Sequence, residues 1–137
     1  HRVGPGTVVF WDKRSADLGT ELPYRFAAFV LGRVIARTSD ARFTLDTGSK
    51  AIDAAVGRAV ATPVDPETGT LLQSWRARRP SEEHLPLDTP DGDAPAAGSV
   101  LALVPEHVCP TVNLAEQAIL MDGEDIRVVP DAGRSHE

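Results

Sequence analysis

A chain of 137 residues can close one hydrophobic core but not two independent ones, so a single domain over residues 1–137 is expected. Hydrophobic residues at 42% and charged residues at 25% exclude a disordered or fibrous polymer, and a formal charge of -6 opposes polyanion binding, so nucleic acid is not an expected partner. The longest apolar stretch, Phe26 to Ile35, is broken by Gly32 and Arg33 and falls far short of the roughly 20 residues that cross a bilayer, so no membrane helix is expected.

Eleven prolines and eleven glycines are spread along the chain and leave room only for short elements. Thr7-Val8-Val9-Phe10-Trp11, after Gly4-Pro5-Gly6, is rich in β-branched and aromatic residues and is predicted as a strand. From Arg25 to Thr38 two apolar runs meet at Gly32, which predicts one long strand bent at that glycine. Arg42 to Asp46 alternates with period two, the pattern of a half-buried strand. Between Ser49 and Val60 the chain turns alanine-rich, which predicts one short helix capped by Ser49 or Thr47. Residues 63–69 and 88–95 read as loops. Val100 to Val104, Ala118 to Met121 and Asp125 to Val129 are predicted strands, the last two joined at Asp122-Gly123, a strong hairpin signal. The expected architecture is mostly β: a compact antiparallel barrel-like domain with one short helix.

The chemistry concentrates in His107-Val108-Cys109. On an extended backbone alternate side chains share a face, which would place imidazole and thiol on Cα atoms roughly 6 to 7 Å apart, within reach of one ion. These are ligand types zinc prefers, although a cysteine at this spacing also serves as a small buried hydrophobe. The sequence has no CxxC or HExxH, so a self-sufficient four-ligand site is not expected, and a metal here would keep open positions. Ser81-Glu82-Glu83-His84 reads either as a solvated loop or as the source of a third ligand or proton-transfer group, His84. Asp46-Thr47-Gly48-Ser49-Lys50 reads as a strand-to-helix turn or an anion site, and is not a P-loop. Tyr24, the only tyrosine, is expected to need a hydroxyl partner on burial. The first six residues lack the apolar core of a secretory signal, and a lone cysteine fits a reducing cytoplasm, the expected compartment.

Four segments in order, Pro5-Gly6-Thr7 with Val9-Phe10 and Asp12, Leu45 to Ala51, Ser81 to His84, and Pro105 to Leu114, together resemble the C-terminal domain of the D-serine dehydratase and D-threonine aldolase-like family. These are fold-type III pyridoxal phosphate enzymes similar to alanine racemase. The resemblance reaches from residue 5 to the Asp122-Gly123 hairpin, and departs from the family where Leu85, instead of the usual glycine, follows Glu82-Glu83-His84. It implies the β domain of a homodimeric lyase acting on a D-amino acid, D-serine or D-threonine. Zinc would sit on His107 and Cys109 and activate the substrate β-hydroxyl. Pyridoxal phosphate would be carried by a lysine of an N-terminal TIM barrel. That barrel is absent here, and neither Lys13 nor Lys50 matches the cofactor lysine, so the chain alone is expected to be inactive. A stand-alone metal-binding or interaction module is the alternative. Cys109 favours dehydratase over aldolase, because aldolase relatives often carry a carboxylate there.

Overall fold

A computed structural model describes residues 6–19, 22–55, 60–65, 67–90 and 92–131. Its centre is a six-stranded antiparallel sheet built from β1 (Val30–Ser39), β2 (Arg42–Leu45), β3 (Ala61–Val64), β4 (Arg76–Ala77), β5 (Leu85–Asp88) and β6 (Val100–Pro105). The order across the sheet is β3-β6-β1-β2-β5-β4. The segment entering β4 stays against β3 through a Val64–Leu71 bridge and a bond from Leu72 N–H to Pro63 O, so the two edges approach and the sheet nearly closes. This is the barrel-like architecture expected from the sequence.

Strand β1 makes the corner. Val30 to Arg33 pair with β6 and Val34 to Ser39 with β2, with register irregularities after Val34 and Arg37. Gly32 lies at the crowded point: a Cβ there would stand 2.7 Å from Thr47 Oγ1 and 3.0 Å from Leu45 Cδ1. The strand starts at Val30, five residues later than Arg25, where the apolar pattern begins.

The period-two pattern of Arg42 to Asp46 is realised in β2, where Phe43 and Leu45 are fully buried opposite Leu87 and Leu85 of β5. Val34, Leu101, Leu103 and Ile52 complete that core, and Trp75 meets the Phe43 ring edge-on at 5.6 Å. Burying each such side chain stabilises by about 1.5–3 kcal/mol. Leu85, the residue that departs from the family pattern, is the first residue of β5 and part of this core.

Two expected elements ahead of β3 do not form. Thr7 to Trp11 is not a strand: Thr7–Val9 forms a 3-10 turn, and Trp11 takes a left-handed backbone with φ 54°. Helix α1 (Lys13–Leu18) follows directly, because Asp12 accepts the Ser15 N–H as its N-cap. The alanine-rich helix does not form over the described part of residues 49–60. Ala51 and Ile52 N–H both reach Gly48 O, closing one turn, but Asp53 N–H is taken by Thr111 Oγ1, so the second turn never starts; residues 56–59 lie outside the described set. Tertiary bonds here override a weak propensity.

Helix α2 (Val108–Val112) follows β6, and the chain ends its described part in a separate hairpin, β7 (Gln117–Asp122) and β8 (Asp125–Pro130). The hairpin falls where the Asp122-Gly123 signal places it, with Gly123-Glu124 as the two-residue loop. Gly123 alone has positive φ there, the pattern of a type II′ turn. Among the described residues no helix is long and apolar enough to cross a membrane.

Candidate metal centre

The expected extended His-Val-Cys segment is not a strand. Strand β6 ends at Pro105, His107 is the extended N-cap residue of α2, and Cys109 sits in the first turn of that helix. Pro110 explains the difference, since proline is tolerated in a helix's first turn, where its missing N–H has no intrahelical acceptor. Strand alternation therefore does not bring the two side chains onto one face. What the fold supplies is a helix N-terminus with His107 half-buried and Cys109 exposed on either side of buried Val108.

This short segment is anchored from three directions. Glu106 N–H bonds Val60 O at 2.8 Å, and Arg14 N–H bonds Glu106 O at 3.1 Å. Val108 N–H donates to Asp12 Oδ2 at 2.9 Å, across 96 residues. Thr111 Oγ1 donates to His107 O at 2.8 Å while accepting from Asp53 N–H at 3.2 Å. Thr7 Oγ1 lies 3.4 Å from Cys109 Sγ. Trp11 holds its strained backbone through a bond from its N–H to Thr7 O, and its ring packs 4.8 Å from Tyr24. Tyr24 itself is exposed, so its hydroxyl does not need the buried partner expected of it.

A second junction joins the other two motifs. Ser49 and Lys50 N–H donate to Ser81 O and Glu82 O, and Lys50 Nζ pairs with Glu83 and Glu82. The amides that an anion would use are thus already bonded to carbonyls, and the reading of residues 46–50 as an anion site fails for that reason. Gly48 is required here: a Cβ would stand 2.3 Å from Glu82 O. His84 closes a tight turn, its N–H bonded to Ser81 Oγ, with its side chain exposed. The carboxylates beside Lys50, first through their hydrogen bonds, raise its pKa and keep it protonated.

The donor set suits zinc, with one imidazole and one thiol on a rigid support. Among the described residues no three His, Cys, Asp or Glu side chains gather as a metal cluster, so His84 does not join His107 and Cys109, and the described residues offer no more than that pair. Pyridoxal phosphate does not fit the chain: Lys13 is paired with Asp17, and Lys50 is held protonated, the reverse of what imine formation needs. Asp12 and Thr111 bridge distant segments, and the sequence carries a local signal only for the cap, an Asp at a helix start.

Residues 27–121 match the family described as putative serine dehydratase domain. No curated protein sequence matches the chain. Among solved structures, D-threonine aldolase from Filomicrobium marinum is 29% identical, with a TM-score of 0.73 over 95% of this chain and 35% of its own. D-threo-3-hydroxyaspartate dehydratase from Delftia sp. HT23 is 21% identical, with a TM-score of 0.78 over 92% of this chain and 37% of its own. Two alanine variants of a D-threo-3-hydroxyaspartate dehydratase, each 20% identical, also match: one at a cysteine, in a metal-free form, and one at a histidine two positions earlier. The chain therefore spans little more than a third of these relatives.

Proposed function

From the premise that this chain belongs to the putative serine dehydratase domain family, we propose that it is the C-terminal metal-binding domain of a D-amino-acid lyase, and that D-serine is the substrate. The carrying observation is the anchored turn that sets half-buried His107 and exposed Cys109 on either side of Val108, with no third ligand beside them among the described residues. Two variants of the dehydratase support it, since they alter a histidine and a cysteine at the same spacing, and the structure of the cysteine variant is of a metal-free form. His107 and Cys109 would hold zinc. When bound, zinc supplies Lewis acidity to a substrate hydroxyl, making it a better leaving group.

This chain's residues have two tasks in that reading. His107 and Cys109 fix the metal, and the backbone bonds of residues 106–108 keep those side chains from shifting as a ligand enters. Pyridoxal phosphate is assigned to a barrel carried elsewhere in a longer polypeptide, which would also complete the substrate pocket.

The test uses that longer polypeptide. Cys109→Ala is expected to remove zinc and D-serine β-elimination while the pyridoxal phosphate absorbance stays. Unchanged zinc content with full turnover overturns the reading. The 29% identity to D-threonine aldolase favours one second reading, C–C cleavage of D-threonine to glycine and acetaldehyde. Assaying both substrates on the same preparation separates the two.

A further inference from the structure

We propose that Asp12 is a positioning residue for the metal ligands, an inference that rests on the zinc reading of His107 and Cys109. Its carboxylate is 1% exposed and has two distinct tasks. Oδ1 accepts Ser15 N–H at 2.8 Å and caps α1, while Oδ2 accepts Val108 N–H at 2.9 Å. Capping alone does not require aspartate, because serine or asparagine caps a helix about as well. Only the second oxygen explains a buried carboxylate here, and it bonds the residue between the two ligands.

The bond matters because of what Val108 is. Its side chain is 1% exposed and its N–H is committed to Asp12, so Val108 is fixed at both ends, while Cys109 beside it is exposed and His107 half-buried. Val108 is thus the pivot about which the two ligands are set. The Val108 N–H is an orphan donor of the α2 first turn, and no other acceptor is bonded to it among the described residues. Without Oδ2 the turn keeps its bonds at Glu106 and His107 but loses the one between the ligands. Removing such support around a metal ligand typically weakens binding about 10- to 100-fold.

Cobalt(II) titration of the chain under reducing conditions tests this, because thiolate-to-cobalt charge-transfer absorption requires the Cys109 sulfur. Asp12→Ser retains an oxygen for the α1 cap but cannot reach Val108. It is expected to bind cobalt about tenfold more weakly, with its far-ultraviolet circular dichroism unchanged. Val34→Ala, a truncation in the sheet core away from the segment, is the control: it lowers the unfolding midpoint and leaves cobalt affinity unchanged. Asp12→Ser binding as tightly as the unsubstituted chain overturns the positioning role, as does equal weakening by Val34→Ala. Absence of the charge-transfer band in the unsubstituted chain overturns this inference, and the zinc content of the longer polypeptide decides the metal reading separately.

Discussion

The turn at residues 106–111 and the β7–β8 hairpin are both short and near one another in sequence, yet they are held in opposite ways. The turn has few bonds of its own and takes its shape from Asp12, Arg14, Asp53 and Val60, residues distant in sequence. Among the described strands the hairpin pairs only with itself, through a complete ladder from Gln117–Pro130 to Asp122–Asp125. One of its faces, Ile119, Met121, Ile126 and Val128, is apolar and more than 60% exposed. The contrast shows where specific chemistry can be supported: a site needs backbone groups fixed by remote partners, whereas a hairpin can form from turn geometry and leave its side chains uncommitted.

Substitutions should sharpen that contrast in a graded order. The largest loss is expected from Gly48→Ala, whose Cβ would press on Glu82 O, a backbone atom that cannot rotate away. About 3 kcal/mol of stability should go, read from urea unfolding midpoints. Thr111→Val comes next, because it strips the partner from both His107 O and Asp53 N–H in a buried setting, at about 2 kcal/mol, and Thr111→Ser should restore most of it. By comparison, Ile119→Ser combined with Met121→Ser should change the same midpoint by no more than about 0.5 kcal/mol, since both side chains are already in water. A large loss from the hairpin pair, or none at Thr111, would break the comparison.

The smallest effect is a pH dependence at the sheet. Asp88 accepts from Arg78 and Arg42, and those bonds, Arg78's first, lower its pKa. A depressed carboxylate pKa stabilises the fold above the unfolded value of about 3.9, and that contribution is lost as pH falls through the folded value. Asp88→Asn should therefore flatten the acid limb of the stability profile, modestly, because both arginines are half-exposed.

The amino-acid sequence by itself determined the β character, the alternating core of Arg42 to Leu45, the hairpin at Asp122-Gly123 and the donor chemistry of the His107 and Cys109 side chains. Each depends on a local cause: period-two burial, turn conformation, or the chemistry of a side chain. Only the tertiary structure decided that Thr7 to Trp11 coils instead of extending, that the alanine-rich run stops after one turn, and that His107-Val108-Cys109 begins a helix. Those outcomes follow from long-range hydrogen bonds. Thr111 removes Asp53 N–H from a growing helix, and Asp12 satisfies a donor 96 residues away. A buried N–H must be bonded somewhere, but which acceptor reaches it depends on how distant segments pack, and no local pattern encodes that.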